Sequence, residues 1–184
     1  MRRGTGKLWR RRVRVHSGRP AIVPQPLGIV APDAVESLLD RVFGPDRRRR
    51  TAYAIRGATR PIDALSFALV DKGALIAAIQ CFPVQLAADQ GGRVPLIMVG
   101  PVAVVPERQG EGHGRSLMTT ALAAADTLAA DVPLMLIGDP EYYGRFGFTA
   151  ARTGQWRTPG PVERHRLLAR GVGAPDRAGM LGPG

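Results

Sequence analysis

Leu96-Ile97-Met98-Val99-Gly100-Pro101-Val102-Ala103-Val104-Val105, followed by Pro106-Glu107-Arg108 and then Gln109-Gly110-Glu111-Gly112-His113-Gly114-Arg115-Ser116, decides the fold of this chain. The apolar run is rich in β-branched residues and broken by Gly100-Pro101, which predicts a buried strand with a bulge or splay near its middle. Leu117-Met118 and Ala121-Leu122-Ala123-Ala124-Ala125 then predict a helix running to about Ala130. Between them, Gly110, Gly112 and Gly114 remove every second side chain. Backbone N–H groups in such a loop can converge beside the positive end of the helix dipole and hold a phosphate or pyrophosphate.

Two nucleotide-binding patterns fail on this loop. The dinucleotide fingerprint G-x-G-x-x-G finds Gly110 and Gly112 but Arg115 at its third glycine. A P-loop needs Lys and then Ser or Thr after its last glycine, where this chain has Arg115-Ser116, and its earlier glycine is missing. Gln109, Gly112 and Gly114 instead spell Gln-x-x-G-x-G, a few residues after a strand ending Val102-Ala103-Val104. On those residues the chain resembles the GNAT superfamily of N-acetyltransferases, whose Gln/Arg-x-x-G-x-G/A loop cradles the pyrophosphate of acetyl-coenzyme A. A second stretch supports the resemblance. Gly138-Asp139-Pro140-Glu141-Tyr142-Tyr143-Gly144-Arg145-Phe146-Gly147-Phe148 reads locally as a turn, a brief helix and a glycine turn into another strand. It is similar to the Tyr-x-Arg/Lys-x-Gly-Phe ending of GNAT domains. The resemblance covers roughly residues 20–169.

Length, charge and cysteine content narrow the classes. With 184 residues and 45% hydrophobic content the chain can bury one core, and it has no room for two substantial domains. No run of about eighteen apolar residues exists, so no membrane partner is expected. The single cysteine, Cys81, lies in an apolar run and reads as a buried structural thiol. His16, His113 and His165 are scattered, so no metal is expected. The net charge is +11, and the eight basic residues before the first acid, Asp33, carry +8 of it, leaving +3 for the rest. We therefore read residues 1–19 as a basic, disordered extension; an arm for nucleic acid, a transit peptide, or sequence upstream of the true start are the alternatives. Nucleic acid is not the expected partner.

In chain order, Ala21-Ile22-Val23 through Leu27-Gly28-Ile29-Val30 predict an edge strand interrupted by Pro24 and Pro26. Pro32 and Asp33 start a helix with Val35, Leu38, Leu39 and Val42 on one face, and Gly44-Pro45 stops it. Arg47, Arg48, Arg49 and Arg50 read as a solvated helix face, or as residues that steer an anionic acceptor; Thr51-Ala52-Tyr53-Ala54-Ile55 reads as a short helix. Asp71-Lys72-Gly73 marks a hairpin between Ser66-Phe67-Ala68-Leu69-Val70 and the run from Leu75 to Val84. Residues 159–169 read as an edge strand, and 171–184 as a Gly/Pro-rich, disordered tail, where GNAT domains often continue with a longer final strand. The expected class is α/β of the α+β type: a mixed, largely antiparallel sheet flanked by helices, with residues 20–170 as the domain.

The resemblance implies roles. The co-substrate is acetyl-coenzyme A, taken by the backbone of Gln109, Gly110, Glu111, Gly112, His113 and Gly114, with Arg115 adding charge and Ser116 a hydroxyl; Arg115 reads equally well as an ordinary helix-surface arginine. His113 is expected to face solvent, and Glu107 and Glu111 to be surface acids. Val102, Ala103 and Val104 offer main-chain groups to the pantetheine arm and the thioester carbonyl. Tyr143 matches the family tyrosine, whose phenol can protonate the departing thiolate, its ordinary pKa near 10 suiting a donor to a thiolate of about 8.5. Tyr142 is expected to pack inward. The activity so implied is direct acetyl transfer to a primary amine, small-molecule or peptide, by a cytoplasmic enzyme; a homodimer and the general base are left open. A non-enzymatic acyl-coenzyme-A-binding module is the alternative.

Overall fold

A computed structural model describes residues 22–184; the basic extension expected over 1–19 lies outside them. The hydrophobic spacing after Pro32 produces α1 (Pro32–Phe43), with Val35, Leu38 and Leu39 buried and Gly44, at φ +83°, turning the chain out of it. A 3-10 turn, Pro45–Arg49, leads into α2 (Thr51–Arg56). The sheet is built chiefly from β2 (Phe67–Asp71), β3 (Ala74–Ala88), β4 (Arg93–Val104) and β5 (Leu134–Ile137). Lys72 and Gly73 both take positive φ, 52° and 82°, which closes the β2–β3 hairpin with the twist the strands need. Between β4 and β5 runs α3 (His113–Leu128), ending two residues before the expected Ala130.

The main strand order is β1-β2-β3-β4-β5-β7, where β1 is Gln25–Pro26 and β7 is Leu167–Arg170. Only β4–β5 in that path is parallel. This is the mixed, largely antiparallel sheet expected, with both predicted edge strands at its edges. One face buries Leu38, Leu39, Leu117, Met118 and Leu122 of α1 and α3 against the sheet; the other buries Ile55 of α2 with Phe82, Leu86, Met98 and Trp156. Among the described residues no helix is long and apolar enough to cross a membrane.

Four expectations are corrected. The first strand is only two residues, because Leu27–Ile29 turns into a 3-10 helix after Pro26. The strand expected after Phe148 is a single bridge, Thr149 to Ala169. The stretch 171–184 is not disordered: it supplies β8 (Gly179–Pro183), which pairs antiparallel with Val84–Ala88 of β3 and parallel with β6 (Trp156–Arg157). It is held by partners distant in sequence, with Leu181 in the core. Finally, the arginine run is not wholly solvated. Arg47 is 1% exposed, its Nε donating to Asp40 Oδ1 at 2.7 Å and its Nη2 to Glu36 Oε2 at 2.5 Å.

Candidate active site

β4 is paired with β3 over most of its length, through Val104, but meets β5 only at Ile97 and Met98. Beyond Met98 the two parallel strands part. Gly100 sits at φ +117°, Pro101 has no N–H to give, and the β3–β4 register slips opposite them, between Ile79 and Cys81. The splay expected at Gly100-Pro101 is therefore present, and it opens a cavity of about 1060 Å³. Its walls are the free edge of β4, the end of β5 with α4 (Pro140–Tyr143), and the arginine-rich α1–α2 segment.

The loop after β4 is built to leave amides bare. Gly110 and Gly112 take φ of +83° and +85°, and no side chain caps α3. The N–H groups of Gly110, Glu111, Gly112, His113, Gly114 and Arg115 have no acceptor among the described residues; Ser116 N–H is the first to bond, to the Gly112 carbonyl at 3.0 Å. Six consecutive bare donors at a helix start, on the positive side of the helix dipole, are the kind of arrangement that can take an anion.

Side chains around the loop fix its shape. Gln109 Nε2 donates to the Val104 carbonyl at 3.2 Å. Arg108 donates from Nε to Glu111 Oε2 at 2.7 Å, and its Nη2 lies 3.3 Å from His113 Nε2. That hydrogen bond holds the Glu111 carboxyl below its usual range. His113 thus differs from expectation: its ring is mostly buried against Arg108 and Glu111 instead of facing solvent. Glu111 and Glu107 are exposed as expected, Glu107 pairing with Arg41. Arg115 is exposed and Ser116 half-buried at the start of α3. Val102 and Val104 face the loop, since a Cβ on Gly114 would stand 3.9 Å from Val102 Cγ1 and 3.7 Å from Val104 Cγ2; Ala103 is fully buried in the core.

The same test places Tyr142, whose hydroxyl would be 3.8 Å from that Cβ. Asp139 caps α4 by accepting from Glu141 N–H at 2.9 Å, and Pro140 takes the first helical position, so both tyrosines project from a fixed turn. Tyr143, not Tyr142, is the one that packs onto the core: its ring lies over Gly138, where any Cβ would collide with it, and 6.4 Å from the Phe148 ring. Tyr142 meets it edge-on at 4.9 Å and carries Arg145 over its ring. Both line the cavity. Burial raises the Tyr143 pKa, Tyr142 and Asp139 push the same way, and Arg166 opposes them, so its phenol keeps its proton.

At the far end the cavity is lined by residues that no motif announced. Arg56, Arg166 and Glu163 are there with Phe43, Tyr53 and Val162. Only Arg56 left a trace in the sequence, standing three residues after Tyr53 on one helix face. Cys81 is sealed in the core, and burial pushes its thiol up to about 12, which removes it as a nucleophile. No cluster of three His, Cys, Asp or Glu suited to a metal occurs among the described residues.

Residues 32–151 match the family described as "Acetyltransferase (GNAT) domain". Among curated proteins, an uncharacterized N-acetyltransferase of Streptomyces avermitilis is 29% identical over 121 residues, 58% of this chain and 29% of that protein. One from Streptomyces griseus is 30% identical over 112 residues, 60% of this chain and 26% of that protein. The chain thus spans under a third of the length of the curated relatives it matches. The solved structure of the GNAT family N-acetyltransferase YhbS from Escherichia coli in complex with CoA superposes with a TM-score of 0.67 at 21% identity, covering 90% of this chain and 92% of that one. A GNAT family acetyltransferase from Brucella melitensis in complex with acetyl-CoA gives 0.58 at 25% identity, covering 86% and 93%.

Proposed function

This chain belongs to the GNAT acetyltransferase family, and on that premise we propose that it moves an acetyl group from acetyl-coenzyme A directly to a primary amine. The observation that carries the reading is the run of bare amides from Gly110 to Arg115, set beside the unpaired edge of β4. A diphosphate held by those amides would sit at one mouth of the splay. The pantetheine arm would then run along Val102, Ala103 and Val104, adding itself to β4 where β5 has left. Arg115 and Ser116, one exposed and one half-buried on the first turn of α3, stand where they can add a charge and a hydroxyl to the same anion.

In the transfer itself the amine nitrogen forms a bond to the thioester carbon and the carbon–sulfur bond breaks. Main-chain N–H groups on the free β4 edge, already oriented, stabilise the oxyanion as charge develops. Tyr143 gives its phenolic proton to the departing thiolate and recovers one from solvent; the proton lost by the amine leaves through water. With Cys81 sealed away and protonated, no acetyl group passes through the protein.

Isothermal titration with coenzyme A, followed by thiol release from acetyl-coenzyme A over a panel of amines, tests the reading. Binding with amine-dependent release is the expected result. Binding without release on any amine would reduce the protein to an acyl-coenzyme-A carrier, and no binding would remove the proposal altogether.

A further inference from the structure

Two buried arginines stand in the same cavity wall, and the fold treats them differently. Arg47 is neutralised within the fold by Glu36 and Asp40, at 2.5 and 2.7 Å. Arg56, at the end of α2 and 8% exposed, has no carboxylate partner among the described residues. Its guanidinium is clamped between the rings of Tyr53 and Phe82, 3.9 and 4.1 Å from their centroids, and its Nη1 has no hydrogen-bond partner. Burial pulls its pKa below the ordinary value, and Tyr53 and Glu36 only partly counter it. A guanidinium does not give up its proton in a protein, so the cost of burying this charge stands until an anion arrives.

That anion is not the coenzyme's. Arg56 packs on Phe82, on the sheet face that buries Ile55 and Trp156, whereas α3 and the bare amides at its start lie on the opposite face. Arg50 and Arg166 line the same end of the cavity without carboxylate partners among the described residues, and the acids there are Glu163 and the cap residue Asp139. The wall is therefore cationic where an acceptor would enter. The clamp of two rings also holds the planar fork of Arg56 in one orientation, which suits an oxyanion better than a mobile ammonium would.

We infer that the acceptor amine carries an oxyanion, carboxylate or phosphate, remote from its nitrogen, and that Arg56 is the residue that receives it. This rests on the acetyl-transfer reading above and names its acceptor class. The test offers the protein a set of amines, each as the free carboxylate, as the uncharged amide, and as the matching aminoalkyl phosphate, and reads kcat/KM from thiol release. Wild-type protein should prefer an anionic form over its amide by roughly tenfold or more, the scale of one charge-assisted hydrogen bond; the carboxylate and phosphate arms tell the two sources apart. Arg56→Met should bring that ratio close to one, and Arg56→Lys should leave an intermediate ratio, charge kept and fork lost. Coenzyme A titration reports whether each variant is folded. Equal rates on acid and amide, or a ratio unchanged in Arg56→Met, would each overturn the inference. Should neither variant fold, the wild-type ratio alone decides. Loss of coenzyme binding in the wild type, or binding without transfer to any amine, would instead sink the acetyl-transfer reading on which it stands.

Discussion

Arg108 Nη1 donates to Asp71 Oδ2 at 2.7 Å, joining the glycine loop before α3 to the turn end of the β2–β3 hairpin, 37 residues earlier in the chain. Both side chains are mostly shielded from solvent, and the same guanidinium reaches Glu111. The loop with six bare amides is thus braced from outside, so its donors are positioned before any ligand arrives. Asp71→Asn removes the charge but keeps the shape. Its dissociation constant for coenzyme A should rise roughly three- to tenfold, the range one net hydrogen bond spans, and the amides of 110–115 should exchange with solvent faster. An unchanged constant would show that the loop holds its form without the brace.

Tyr143→Phe keeps the ring that fills the space over Gly138 and removes the proton donor. Turnover should fall by about a hundredfold, the usual scale of general acid catalysis, with coenzyme affinity nearly unchanged. Wild-type turnover in this variant would take the role away. The same assignment fixes a pH dependence. Since burial raises the Tyr143 pKa above its ordinary value of 10.0, the acid form persists across the neutral range, and the loss of turnover it controls comes only above pH 10.

The helix α1 was legible because Pro32, Asp33 and the spacing of Val35, Leu38 and Leu39 all state the same thing, and Gly44 ends it. The hairpin was legible because Lys72-Gly73 leaves few other conformations. The loop was legible because alternate glycines have no simpler use. What stayed hidden depends on partners distant in sequence. Gly179-Met180-Leu181-Gly182-Pro183 has no strand signature of its own, and it becomes β8 only because Val84–Ala88 of β3 is there to pair with it. Four successive arginines say nothing of which one is buried; Arg47 is, because Glu36 and Asp40 lie one turn apart on α1 and converge on it. Which tyrosine of the pair packs inward is not legible either, since a short helix of four residues gives no periodicity to tell inward from outward.

β8 supplies a direct test of its place in the core. Leu181 is 1% exposed between β3 and β6, and Met180 beside it is 39% exposed. Leu181→Ala should cost about 2–5 kcal/mol in chemical denaturation, and Met180→Ala well under 1 kcal/mol. Equal, small effects would show that this strand contributes nothing to the packing of Ile55, Phe82 and Trp156 on its face of the sheet.

The buried Arg47 predicts an asymmetry between its own removal and that of its partners. Glu36 and Asp40 are 42% and 40% exposed, so when Arg47→Met deletes the cation, their carboxylates return to water and the methionine fills apolar space. The converse pair, Glu36→Gln with Asp40→Asn, leaves the guanidinium 1% exposed with the Tyr53 hydroxyl as its chief remaining partner. That double variant should lose about 3 kcal/mol at pH 7, and Arg47→Met clearly less, because breaking a buried pair from one side costs more than replacing the charge. The difference is pH-linked. Burial raises the Glu36 pKa, but the hydrogen bonds from Arg47 and Arg48 outweigh it, and the carboxyl ends below its ordinary 4.5. A depressed carboxylate stabilises the fold above its unfolded pKa and loses that contribution as pH falls through the folded one. The gap between wild type and double variant should therefore narrow as pH falls below 4.5, and a gap unchanged in acid would mean the Glu36 carboxylate is not what holds Arg47 in place.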